Sequence, residues 1–384
     1  MTTPHGVIET PSFVPVATWG AVTSLSMEEV RSLGAQVLIA NAYHLHLQPG
    51  EDRIDRAGGL HRFMRWDGPL MTDSGGFQIF SLGAGKEHGV GKIAPIFPGD
   101  RGGHLKRRRG TSLVKMEEDG AEFISFLDGT IHRFNPEIVI ELERKLGADM
   151  ILVLDECTSP LHDYAYTKAA MERTHRWALR AMDQCRKYRV RDQAVFGIVQ
   201  GGAFRDLREE SARFLGSLGF DGCAVGGSLG KSKGEMYRVL EWTVPLLPRN
   251  RPRHLLGIGT VDDIFHVVDR GIDLFDCVAP TLMARTGTVF TKEEQGFRIH
   301  LLNARFRDDG GPIENGCTCA VCNRYSRGYL RHLFVVKERT GERLAAVHNL
   351  HFMEKMMKEI RAAIREGTFG ALKKRWMSSV ASHK

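Results

Sequence analysis

Residues 149–157 read DMILVLDEC, an apolar run that closes on two acids and a cysteine. A short apolar run bounded by polar residues is what a strand buried on both faces looks like, and such strands belong to parallel sheets covered by helices. On either side the period changes, because residues 136–146 and 166–188 carry apolar side chains at helical spacing. The alternation recurs along the chain, with candidate strands at 13–18, 37–41, 70–73, 150–155, 195–200, 223–226, 254–257 and 274–277 and further helical patterns at 207–217 and 261–270. Eight strand–helix units in about 280 residues predict an α/β fold of the (β/α)8 TIM-barrel type. A doubly wound open sheet is the structural alternative, but no G-x-G-x-x-G follows the first strand.

The polar residues fall at the strand ends. Asp73 closes GPLMTDSGG, Asp155 closes the opening run, Gln200 closes VFGIVQGG, Gly226 and Gly227 close CAVGG, and Asp276 closes DLFDCV. In a barrel these C-terminal ends share the face on which active sites are built. A single Asp after a strand is commonly a helix N-cap. Three of them, each next to small residues that let backbone approach closely, point instead to a shared pocket. Paired carboxylates at one sugar suit glycosyl transfer: one attacks the anomeric carbon and the other moves a proton for the leaving group.

Seven cysteines are present. Those at 157, 185, 223 and 277 are scattered in apolar segments, and Cys317, Cys319 and Cys322 are crowded into C-x-C-x2-C. An odd count with no secretory leader argues for reduced thiols, and the crowded three are metal-ligand candidates, with buried or redox thiols as the alternative.

The 42% hydrophobic and 26% charged fractions are those of an ordinary globular chain. No apolar run approaches the roughly 18 residues of a membrane span, and MTTPHGVIETPSF has neither the basic start nor the apolar stretch of a secretory signal, so a cytoplasmic location is expected. A formal charge of +7 and a pI of about 9.0 lean toward a polyanionic partner. Residues 83–110, ending in HLKRRRG, read as a long surface loop whose basic run at 106–109 is either a solvated face or an RNA-contacting arm. Residues 352–377 read as a basic amphipathic helix pair. The expected division is a barrel over 1–300 and a zinc-binding subdomain with C-terminal helices over 301–384.

The strings HGVIETPSFVPVAT (5–18), MTDSGGFQIFSL (71–82), LDECTSP (154–160), GIVQGG (197–202), FDGCAVGG (220–227), HLLGIGT (254–260) and GIDLFDCVAPT (271–281) resemble bacterial tRNA-guanine transglycosylases, the queuine tRNA-ribosyltransferase family. The resemblance implies exchange of guanine at the wobble position of tRNAs with G-U-N anticodons (those for Asp, Asn, His and Tyr) for a 7-deazaguanine, preQ1 or queuine, through a covalent aspartyl–ribose intermediate. It implies Asp276 as nucleophile and Asp73 as general acid/base. Ser74, Gly75, Gly76, Asp73, Gly226 and the Gly227 N–H would line the base site. Phe77 would stack on the base, Asp155 would accept from N1–H and the exocyclic amine, and Gln200 would read the other edge. Gly257, Ile258, Gly259, Thr260, Val261, Asp262 and Asp263, with Thr281, Leu282, Met283, Ala284 and Arg285, would contact the RNA. The family's H-N-[LIM] pattern, here His348-Asn349-Leu350, supplies a fourth ligand to Cys317, Cys319 and Cys322. That set implies one structural Zn2+ per chain. A homodimer and tRNA as partner are implied by resemblance alone.

The sequence departs from the family in places. It begins almost directly at the first barrel strand, without the usual N-terminal hairpin, and reads Pro280-Thr281-Leu282 where P-T-R is usual, although Arg285 is kept. After the glycine pair it reads Ser228-Leu229-Gly230-Lys231, one residue short and with Lys where an acid would pair with the cationic aminomethyl group of preQ1. A non-catalytic RNA-binding paralogue is the competing function, but such a subunit has no reason to keep Asp73 and Asp276 together. A barrel glycosidase acting on small nucleosides would leave the metal module and basic surface unexplained.

Overall fold

The computed structural model describes residues 1–80, 114–188 and 192–378; the expected loop at 83–110 and its basic run lie outside the described residues. Eight parallel strands form one sheet: β1 (Ser12–Pro15), β2 (Leu38–Asn41), β3 (Leu70–Asp73), β4 (Met150–Leu152), β5 (Ala194–Val199), β6 (Gly222–Val225), β7 (Arg253–Leu255) and β8 (Leu274–Cys277). Neighbours follow chain order from β2 round to β8, and β8 pairs with β1. A parallel bridge between Val16 and Ile39 and the bond from Ala17 N–H to Ile39 O (2.7 Å) close the ring. The barrel expected from the strand count is the barrel observed.

Strand side chains alternate between two apolar layers. Val14, Ile39, Met71, Met150, Leu152, Phe196, Ile198, Ala224 and Leu274 fill the lumen with Ile8 beneath them. The intervening residues, among them Phe13, Leu38, Leu70, Ile151, Val195, Val225, Leu255 and Phe275, face the helices. Carried to the strand ends, the same parity turns Asn41, Asp73, Gln200, Gly226 and Asp276 toward the barrel axis. Asp155 lies three residues past the end of β4, in chain that has left the strand.

The helices begin where sequence chemistry places them. Pro136–Leu146 starts on an Asn135 cap with Pro at its first turn and stops at Gly147, whose φ is 69°. Between β3 and that helix the chain inserts an antiparallel sheet of Val114–Met116, Ala121–Ile124 and Ile131–Phe134. Its alternation is too short and too exposed, with Ile131 on the surface, to read from sequence.

Two expectations need correction. Thr2–Thr3 pairs antiparallel with Gly6–Val7, so a short hairpin does precede β1. It escapes notice because its strands are only two residues long. The C-terminal pair is Arg339–Arg365 and Phe369–Ser378, so the first helix starts well before residue 352. Its N-cap is Glu338, outside the usual Ser, Thr, Asp and Asn signal. The buried seam of the long helix, including Ala345, Leu350, Met353, Met357 and Ile360, packs on β1 and on the helix Ala279–Arg285 that follows β8.

Candidate active site and metal centre

A cavity of about 440 Å³ opens at the C-terminal ends of the strands. Asp73, Asp155 and Asp276 all line it, with Ser74, Gly75, Gly76, Phe77 and Gly227. Three strand-end carboxylates therefore converge.

Asp73 is held from β2. Asn41 Nδ2 donates to its Oδ2 at 2.5 Å, and the N–H groups of Ala42 and Gly75 donate to Oδ1 at 3.1 and 3.3 Å. Asn41 Oδ1 accepts from the backbone N–H of His44 and lies 2.6 Å from its Nδ1. Burial pushes the His44 pKa down to about 4, so the ring is neutral at pH 7 and fits as an Nδ1–H donor. Behind the wall Thr72 bonds to Glu143. Burial drives the Glu143 pKa well up, the Thr72 hydroxyl opposes this, and the charge of Asp73 adds to it. The shift favours the protonated form of Glu143, behind Asp73.

Asp155 and Gln200 form a second unit. Gln200 Nε2 donates to Asp155 Oδ2 at 2.5 Å, and Ser74 Oγ lies 3.5 Å from Oδ1. This fixes the amide so that Gln200 Oε1, buried, has no hydrogen-bond partner among the described residues. It lies against Gly227, where φ is 69° and any Cβ would overlap that oxygen. A Cβ on Gly76 would likewise overlap the Asp155 carboxylate. The cradle therefore needs glycine at both places, and it offers acceptors to a flat ligand with N–H donors. Arg208, wholly buried, organises it: its guanidinium donates to the carbonyls of Val199, Gly202, Gly226 and Ser228 at 2.7–2.9 Å. Sequence reasoning missed Arg208, because nothing in FRDLREE separates it from surface charges.

Asp276 Oδ1 accepts from Gly257 N–H and lies near His254 Nε2, both at 3.0 Å. His254 is 0% exposed, inside a mainly apolar lumen. It too was missed, since one histidine in an apolar run reads as core; its strand parity with inward Leu256 was the available signal.

Of the residues expected along the RNA path, Gly257, Ile258, Gly259, Thr260, Asp263, Leu282 and Met283 line the cavity. Leu282 and Arg285 are exposed; Asp262 is partly buried, while Val261, Thr281 and Ala284 are buried. Gly226 sits just below the cavity wall, holding β5 through its N–H to Val199 O at 3.1 Å. Lys231 is exposed and outside the lining, its N–H bonded to Glu235 at 2.6 Å. The cation in the wall is Lys233, paired with Asp262 at 2.5 Å and Asp263 at 2.9 Å. The expectation of a lysine at 231 beside the base is thus corrected, because the turn Gly230–Ser232 carries that side chain outward.

Away from the barrel mouth, the Sγ atoms of Cys317, Cys319 and Cys322 lie 4.0, 3.5 and 3.3 Å from His348 Nδ1. Tetrahedral zinc with usual bond lengths sets S···N near about 3.6 Å, so the four residues fit that ion. His348 Nε2 lies 2.7 Å from Phe290 O, a donor contact that leaves Nδ1 as the ligand atom. The adjacent Asn349 donates to Pro280 O and Thr288 O, tying the cluster to the chain after β8. A second group, His5, His61 and Asp149, is a hydrogen-bonded clamp at the opposite barrel end. Its imidazoles are stacked at 3.6 Å, so their lone pairs run parallel, and each reaches a different oxygen of Asp149.

A family model described as queuine tRNA-ribosyltransferase matches residues 1–96 and 101–382. The chain is 46% identical to the queuine tRNA-ribosyltransferase of Roseiflexus sp. over 393 residues, covering 98% of this chain and 94% of the relative. It is 45% identical to the protein of that name from Herpetosiphon aurantiacus over 377 residues, covering 98% and 88%. With that of Pelotomaculum thermopropionicum it shares 47% over 367 residues, covering 95% and 90%.

Proposed function

This chain belongs to the queuine tRNA-ribosyltransferase family, and on that premise we propose that it exchanges guanine at the wobble position of G-U-N tRNAs for a 7-deazaguanine by way of a covalent ester on Asp276. The observation that carries the reading is the placement of Asp73 and Asp276 on one cavity, each carboxylate anchored by hydrogen-bond donors from a neighbouring strand or turn.

The Asp276 carboxylate attacks ribose C1′ as the C1′–N9 bond breaks, and the electron pair leaves on guanine. Asp73 serves the departing base as acid. The incoming base then returns its N9 proton to Asp73, attacks C1′, and releases the Asp276 carboxylate. Asp155 accepts from N1–H and the exocyclic amine of the base. Gln200 Oε1, buried and without a described partner, suits a further N–H donor, and Phe77 covers the ring. Gly257–Asp263 and Thr281–Arg285 border the path of the RNA. Cys317, Cys319, Cys322 and His348 hold one structural zinc, which supplies folding energy and takes no part in the exchange. Substrate tRNA, the free base and a second copy of the chain are the partners this reading assigns, and the cytoplasm its location.

The test is a denaturing gel of enzyme incubated with tRNA. Wild type should give a shifted, denaturant-stable band and exchange labelled guanine. Asp276→Asn should lose both, with exchange down on the order of 10³-fold because an amide is a poor nucleophile. Adduct at wild-type level in Asp276→Asn overturns the assignment.

A further inference from the structure

The rim of the cavity on the β1–β3 side carries an aromatic cluster that the proposed chemistry leaves unused. Trp19 follows β1 and is 42% exposed, and Phe126, on the turn of the inserted antiparallel sheet, is 53% exposed. Both pack around His44 on the helix after β2, with ring centroids 4.7 Å from Trp19 and 6.2 Å from Phe126. The two outer rings stand 6.5 Å apart, edge to face. His44 lines the cavity, as does Thr18 next to Trp19, so the cluster is continuous with the base site. In the closed ring it sits beside the wall built by Gly257–Thr260 and Leu282–Met283, because β8 pairs with β1.

Rings left exposed beside a pocket that must admit one nucleotide of a longer chain need an occupant. Burial holds the His44 ring neutral at pH 7, so the three rings offer neutral π-faces and none of them is a cation that would attract a phosphate. Unstacked bases of single-stranded RNA are recognised on such surfaces. We propose that Trp19, His44 and Phe126 form a stacking platform for an unpaired base of the substrate RNA that flanks the exchanged nucleotide. This rests on the transglycosylase reading and extends the expected RNA contact onto the β1–β2 side of the mouth. The link from His44 through Asn41 to Asp73 ties occupancy of the platform to the group that handles the proton.

Trp19 is the only one of the five tryptophans that is exposed, so it reports binding directly. Titration with tRNA should quench its emission, and Trp19→Phe should remove most of that signal while keeping affinity. Trp19→Ala and Phe126→Ala should each raise the tRNA Kd and KM about tenfold, with the KM for the free base unchanged. The slope of log Kd against log salt should also stay as in wild type, because no phosphate contact is lost. A folded Trp19→Ala/Phe126→Ala double variant that binds tRNA within twofold of wild type overturns the proposal. So does weakened binding that tracks a changed oligomeric state, which would make this a contact between copies. If wild type exchanges no base at all, the transglycosylase reading fails on its own; if it exchanges and the rim variants match it, only the platform fails.

Discussion

His254 Nε2 lies 3.0 Å from Asp276 Oδ1, and this is the contact from below, inside the barrel, that meets a carboxylate at the cavity floor. The histidine is wholly buried and its Nδ1 has no partner among the described residues. An apolar residue would pack there at less cost, since a buried unpaired polar atom loses its hydration. The ring therefore makes sense as a fixed donor that stops Asp276 from rotating. His254→Ala should slow adduct formation in a single turnover, on the order of 10²-fold for a misplaced nucleophile, while tRNA KM moves less than twofold. His254→Gln, which keeps an N–H donor, should recover part of the rate. A variant that loses thermal stability yet forms adduct at the wild-type rate would reduce the contact to packing.

The metal cluster is predicted to act on the site through structure. Purified protein should carry about one zinc per chain, and Cys319→Ser should lower both zinc content and melting temperature, because binding energy at closed sites is folding energy. Asn349, next to His348, holds Pro280 O and Thr288 O, so loss of metal should loosen the helix Ala279–Arg285 at the cavity edge. Metal analysis and calorimetry read this without an activity assay. Metal-free protein that melts at the wild-type temperature would refute it.

Glu354 predicts a pH dependence of stability. It is enclosed in the helix Arg339–Arg365 and neither carboxyl oxygen has a hydrogen bond among the described residues. Burial pushes its pKa up to about 8 from a usual 4.5, against the lowering pull of Arg361 and Lys358. Between those values the folded state binds a proton that the unfolded chain has released, so stability falls as pH rises through the window. Glu354→Gln removes the titration. Its melting temperature should match wild type near about pH 4 and exceed it increasingly up to about pH 8. A difference that does not vary with pH would show that the carboxyl is solvated.

How much of this was legible follows from parity. The short apolar runs in LMTD and LFDC mark both strands, and the strand-end position of Asp73 and Asp276 made their convergence readable before any coordinates, whereas nothing singled out Asn41 at the end of LIAN. Asp155 was readable by position, although it belongs to chain past the strand. His254 and Arg208 were not, because their roles come from what the closed ring brings near them: a carboxylate on the next strand in one case, four carbonyls at strand ends and in loops in the other. The inserted sheet and the first residues of the long helix lack the caps and periodicity that announce such elements. The outward turn of Lys231 was also hidden, since its side chain direction is set by the cap Ser232 and by Glu235, which accepts its N–H.

That turn decides the last prediction, which concerns the incoming base. Glu235, the acid closest to Gly230, is committed to the Lys231 N–H. In the cavity wall Asp263 is committed to Lys233, Tyr237 and Thr260. The Lys233 ammonium is itself partly desolvated, and although burial lowers its pKa, the flanking Asp263 and Asp262 outweigh that and raise it. A cationic aminomethyl group such as that of preQ1 thus meets carboxylates already paired, next to a cation that repels it. Queuine keeps that nitrogen as a secondary amine and adds a cyclopentenediol, whose neutral hydroxyls can hydrogen-bond to these groups without adding charge. Queuine should therefore be used at least as well as preQ1 in kcat/KM with one tRNA. Lys233→Ala should shift the ratio toward preQ1 by releasing Asp262 and Asp263. A wild-type preference for preQ1 of about tenfold, about 1.4 kcal/mol in transition-state binding, would mean that one of these acids leaves Lys233 to meet the base.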